Sequence, residues 1–184
     1  EQQRYEEARY HLEQAVVLRP GDPGPFAKLA EVLIRLDQHE EAEELARAAA
    51  NLGPEDPDTC AALSRTLRLL GRPRQAIHWG ERAQRQQPAE PQHHIHLALD
   101  YLVAGLADRA EEHARRALEL APEDAEARST LANVLLAGGD WDGALAAADQ
   151  ALALAPGRED VQATKAAILE RLGRSEEAFA LVRP

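Results

Sequence analysis

Alanine stands at Ala8, Ala42, Ala76, Ala110, Ala144 and Ala178, and again at Ala15, Ala49, Ala83, Ala117 and Ala151; every step within each column is 34 residues. Leucine fills a third column at Leu29, Leu63, Leu97 and Leu131, each followed by a small residue (Ala30, Ser64, Ala98, Ala132). Three positions beyond the small residue stands a large one: Leu33, Leu67, Tyr101, Leu135 and, in the last period, Leu169. Polar residues fill most of the intervening places. Apolar positions at i, i+3, i+4 and i+7 mark one face of a helix, so each period predicts two amphipathic helices. Gly71, Gly105, Gly139 and Gly173, with Asp37 at the equivalent place, predict a left-handed turn at the end of each first helix. Pro20, Pro54, Pro88, Pro122 and Pro156 follow the second helices and cannot continue them. Small residues in register let paired helices approach at the short end of the usual ~8–10 Å. A fixed period of this length predicts a stack of identical supersecondary units.

These columns resemble the tetratricopeptide repeat (TPR) family, whose pattern runs large residue, Leu-Gly or Leu-Ala, aromatic or Leu, Ala, aromatic, Ala, Pro. Phe26, Leu29-Ala30, Leu33, Ala42, Ala49 and Pro54 carry it most clearly, and the resemblance covers the whole chain. It implies an all-α, right-handed superhelical solenoid of antiparallel helix pairs. The chain divides into the end of one repeat (1–22), four full repeats (23–56, 57–90, 91–124, 125–158) and most of a sixth (159–184), a single solenoid over 1–184. Two columns depart from the family. The first large position holds Cys60, His94, Arg128 and Gln162 after Phe26, and the second-helix aromatic is replaced by Leu12, Ala46, Gly80, Ala114, Ala148 and Val182. Both departures predict tighter, alanine-dominated packing and lower stability per repeat.

The formal charge is −11, from 32 acidic and 21 basic residues. Many of the acids fall where helices should begin: Glu6-Glu7, Glu40-Glu41 and Glu176-Glu177 open second helices, and Asp56, Asp58, Glu123, Asp124, Glu159 and Asp160 open first helices. Carboxylates there complement the helix dipole, each by roughly 0.3–1 kcal/mol. The acidic balance argues against nucleic acid, which needs a clustered basic surface. Lys28 and Lys165 are the only lysines, so arginine frequency reads as compositional bias. No long uncharged apolar window predicts a membrane span, and Glu1-Gln2-Gln3-Arg4 does not open a signal peptide. Methionine is absent and the sequence starts inside a second helix, which predicts a piece of a longer protein. Phe179, Leu181 and Val182 predict an apolar edge that further repeats, another domain or a second copy would cover. No compartment is encoded; the cytoplasm is the default expectation.

Candidate chemistry is sparse. Cys60 lies in a packing column and reads as a small buried hydrophobe. His93-His94-Ile95-His96 with Asp100 places His93, His96 and Asp100 at i, i+3 and i+7, but a structural zinc site needs four convergent ligands and no second cluster supplies them. The run is therefore expected to be packed or solvated, and no metal or cofactor is expected. Asp100 falls in a column that is otherwise mostly apolar (Val32, Thr66, Val134, Ile168) and needs a buried partner. Trp141 stands where the family often opens its second helix with an aromatic, and a core role is expected. Glycine-rich phosphate loops, activated nucleophiles and paired catalytic carboxylates are missing, so the chain reads as no enzyme.

The resemblance implies a binding surface. In the family, first helices line the concave face and bind peptides or protein segments. Carried over, the lining positions give Lys28, Glu31 and Ile34; then Asp58, Arg65 and Arg68; then Gln92, Ile95, His96, Leu99 and Leu102; then Glu126, Ser129, Thr130, Asn133 and Leu136. A basic spot at Lys28, Arg65, Arg68 and His96, beside aliphatic Leu99, Leu102 and Leu136, suits a carboxylate-bearing ligand. Asn133 resembles the asparagine with which such repeats grip a peptide backbone. Alternatively, Arg65 and Arg68 are solvated and paired with Glu31. The subclass that holds chaperone C-termini is not matched, since its basic and amide positions hold Ala27, Glu31, Ala62, Gln92 and His96. The expected function is a protein–protein interaction scaffold. Two alternatives are the repeat arm of a larger glycosyltransferase or sulfotransferase that positions its protein substrate, and a self-assembling scaffold that oligomerises through its ends.

Overall fold

The structure, a computed structural model, describes residues 2–181. These form eleven α-helices and no strand. Helix α1 (Gln2–Leu18) precedes five helix pairs: α2 (Pro23–Arg35) with α3 (His39–Leu52), α4 (Pro57–Leu69) with α5 (Pro73–Gln86), α6 (Pro91–Val103) with α7 (Ala107–Leu120), α8 (Ala125–Gly138) with α9 (Trp141–Leu154), and α10 (Glu159–Arg171) with α11 (Ser175–Leu181). Compact packing divides the chain between Ala89 and Glu90. In the first unit α2 packs against α1, α3 and α4, and α4 against α3 and α5. In the second, α8 packs against α6, α7, α9 and α10.

The alanine columns form the helix contacts. Ala42, Ala76, Ala110 and Ala144 are fully buried, as are Ala49, Ala117 and Ala151. Ala46, Ala114 and Ala148, which replace the second-helix aromatic, are also fully buried; Val182 lies outside the described residues. In the first unit Leu29, Leu33, Leu63 and Leu67 close over Ala42, Ala46 and Ala76. In the second, Ile95 packs with Ala117 and Ala127.

Each first helix ends as the turn column predicts. Asp37 (φ 62°), Gly71 (68°), Gly105 (74°), Gly139 (85°) and Gly173 (75°) are left-handed. The next residue's N–H then donates back to a carbonyl of the last helical turn: Gln38 to Leu33 (2.9 Å), Arg72 to Leu67 (2.9 Å), Leu106 to Tyr101 (2.9 Å), Asp140 to Leu135 (3.0 Å) and Arg174 to Leu169 (2.8 Å). The acceptors are the large-residue column, so these residues give a side chain to the core and a carbonyl to the cap.

Two further columns emerge. Asp22, Asp56, Glu90 and Asp124 cap first helices through their carboxylates. The fifth member, Arg158, has no capping acceptor and instead pairs with Asp160. The first large position is also explained: Cys60 Sγ lies 3.5 Å from the Pro54 carbonyl, Gln162 Nε2 donates to that of Pro156 at 3.1 Å, and Arg128 donates to that of Pro122. At Cys60, Arg128 and Gln162 the side chain thus ties a first helix to the preceding proline turn, whereas His94 meets His113 of the following helix.

Trp141 corrects an expectation. It is 39% exposed although Ala144 and Ala148, at i+3 and i+7 on the same face of α9, are buried; it stands at the first position of the helix. Among the described residues no helix is long and apolar enough to cross a membrane.

Candidate partner-binding faces

In the first unit the exposed faces of α2 and α4 lie side by side. Glu31 of α2 forms an ion pair with Arg65 of α4. Around that pair is a cleft of about 550 Å³ lined by Glu31, Ile34, Arg35, His39, Arg65, Arg68 and Leu69. Four expected residues, Glu31, Ile34, Arg65 and Arg68, thus share one concavity. Lys28 is exposed on α2 but does not line it. Sequence reasoning missed Arg35, His39 and Leu69. Arg35 and Leu69 occupy the same repeat position, one beyond the last lining position of the family, so the column was visible but lay outside the pattern applied. His39 enters from the first turn of α3, with Nε2 2.9 Å from Asp37 Oδ1.

In the second unit the expected residues form two polar links and an aliphatic strip. Gln92 Nε2 lies 3.4 Å from His96 Nε2 and donates to Glu126 Oε2 at 3.2 Å. His96 is only 7% exposed, so its ring belongs to this trio rather than to an open cationic surface. Thr164 Oγ1 lies 3.0 Å from Asn133 Oδ1 and 3.1 Å from the Asp160 carbonyl, and its one proton serves either acceptor. Leu99, Leu102 and Leu136 are half-buried along the same helices, with Leu99 against the Ile95 cluster.

The histidine run is packed. His93, His94, His96 and Asp100 are all buried, Asp100 completely. His94 Nδ1 lies 3.0 Å from His113 Nδ1, His113 stacks on Tyr101 at 5.4 Å and 16°, and the Arg109 guanidinium sits 5.9 Å from the Tyr101 ring. Among the described residues no three His, Cys, Asp or Glu side chains converge as metal ligands. Cys60 packs with Ala61, Ala83 and Trp79, and burial pushes its thiol up to about 11.

The sequence profile described as tetratricopeptide repeat matches residues 1–58 and 101–168, more than half of the chain. The chain belongs to the tetratricopeptide repeat family. No curated protein matches it. Among solved structures, a thermophilic TPR protein of Thermus thermophilus is 29% identical over 91% of each chain, with a TM-score of 0.81. PilW, a widely conserved type IV pilus biogenesis factor, is 20% identical over 97% of this chain and 83% of its own, with a TM-score of 0.83. YrrB, a TPR protein with an unusual peptide-binding site, is 19% identical over 92% of this chain and 88% of its own, with a TM-score of 0.61. The last two likenesses establish the TPR fold alone.

Proposed function

We propose that this TPR chain is a protein-interaction scaffold that binds a peptide or protein segment on the exposed faces of its first helices. The observation that carries the reading is the cleft between α2 and α4, where charged and apolar side chains from adjacent repeats line one concavity. Ligand sites characteristically combine such apolar walls with a few placed polar groups. In the second unit, Asn133 presents an amide on the same helix faces as Leu99, Leu102 and Leu136, and an amide can pair with a peptide backbone. The peptide-binding site named for YrrB, on a similar fold, supports the same reading. The chain is read as a binding module without catalysis of its own: its thiol is buried and protonated, and His93, His94 and His96 are packed in the interior.

Immobilised protein, its Arg65→Glu/Arg68→Glu variant and a Leu99→Glu/Leu136→Glu variant test this against a cell lysate, with circular dichroism on each. Loss of a captured protein in either variant, with helicity retained, is the expected result. Undiminished capture by both variants would remove the first-helix faces from consideration.

A further inference from the structure

The cleft of the first unit has a charge unlike that of the chain around it. Three guanidinium groups, Arg35, Arg65 and Arg68, line it against one carboxylate, Glu31. Residues 57–90 hold six arginines and three carboxylates, and this is the one repeat of the six in which cations outnumber acids, within a chain of net charge −11. A concavity with low-dielectric walls focuses such a local excess. The Glu31–Arg65 pair does not exhaust it. A guanidinium carries five N–H donors in a rigid fork, and a bidentate carboxylate uses two of them. Arg35, exposed in the last turn of α2, forms no ion pair among the described residues. Ile34 and Leu69 add apolar wall beside these donors.

We infer that this cleft takes acidic side chains of a partner protein segment, two Asp or Glu carboxylates with an aliphatic residue set against Ile34 and Leu69. The inference rests on the proposed binding role and narrows its ligand class. Charge selects side chains over a chain terminus: the lining carries a formal excess of two positive charges, and a terminal carboxylate supplies one negative charge. Charge also disfavours nucleic acid. A strand carries a phosphate at every nucleotide, and those beyond the cleft would meet the acidic remainder of the surface.

The probe is a fluorescein-labelled, C-terminally amidated nonapeptide with a Glu-Leu-Glu core in a serine background, titrated by anisotropy beside its Gln-Leu-Gln counterpart and a short single-stranded oligonucleotide. The glutamate peptide should bind about tenfold tighter than the glutamine peptide, and raising salt from ~0.02 M to ~0.15 M should shrink that preference. Arg35→Gln/Arg68→Gln should abolish the preference with helicity unchanged. If that variant loses helicity, Arg35→Gln alone, at an exposed position, should reduce the preference. Equal binding of the two peptides, a preference that survives substitution, oligonucleotide binding as tight as that of the glutamate peptide, or no saturable peptide binding would each overturn the inference. Any of these results alongside capture still lost in the Arg65→Glu/Arg68→Glu variant removes the ligand class and leaves the binding face standing; retained capture in all face variants removes both.

Discussion

At Cys60 burial decides chemistry. The side chain has no exposed surface, and desolvation lifts the thiol from its ordinary value of 9.0 to about 11. A thiol that ionises only there is not a nucleophile at neutral pH. Native protein should therefore leave a thiol-reactive disulfide reagent unreduced at pH 8, and release one equivalent once unfolded in denaturant; prompt reaction of the folded form would contradict the burial. The sign for stability follows from the raised value. The folded state favours the neutral thiol, so its contribution is fully present below pH 9 and is lost as pH rises towards about 11. Asp37 shows the opposite case, an exposed side chain at a position where the backbone conformation matters. It adopts a φ of 62° where four sister repeats use glycine, and aspartate tolerates that region better than most residues.

At the scale of the element, helix ends differ in how well they are closed. Asp124 accepts from two backbone N–H groups, of Glu126 at 2.7 Å and Ala127 at 3.0 Å, whereas Glu90 accepts from one, at 3.4 Å. Asp124→Ala should cost about 1 kcal/mol and Glu90→Ala only a few tenths, read as shifts in thermal midpoint. Equal shifts would show that the side-chain caps do not set helix stability here. Much of this architecture was legible in the sequence. Glycine recurs at 71, 105, 139 and 173 because the turn needs positive φ, and alanine recurs because paired helices leave no room for more, so both demands leave a residue-type signature. The cap column at 22, 56, 90 and 124 is as regular: the sequence placed Asp56 and Asp124 at first-helix starts, and the hydrogen bonds add Asp22 and Glu90. The cleft was legible only in part. Arg65 and Arg68 followed from the family pattern and Arg35 stands one repeat position beyond it, but His39 joins them through the apposition of the first turn of α3 to α2 and α4, which no linear spacing encodes. Trp141 failed for a different reason: it shares a face with Ala144 and Ala148, yet it opens α9 and stays 39% exposed, and periodicity does not report how far along a helix the packing reaches.

For the whole molecule the controlling quantity is charge. The excess of acids places the isoelectric point near 5.1. Self-repulsion opposes association at neutral pH and vanishes near that value, so solubility should pass through a minimum close to pH 5 and recover below it. Turbidity across a pH series reads this directly, and a minimum displaced well above pH 6 would show that charges are masked by burial. The Arg-rich repeat at 57–90 sits against this background as a local reversal of sign. The buried thiol has one more consequence. With no methionine anywhere in the sequence and its single cysteine sealed among Ala61, Ala83 and Trp79, the folded chain offers an oxidant no accessible sulfur. Its surface is chemically silent toward maleimides for the same reason, so a cysteine placed anywhere on that surface becomes a unique address for a dye, a spin label or a cross-linker.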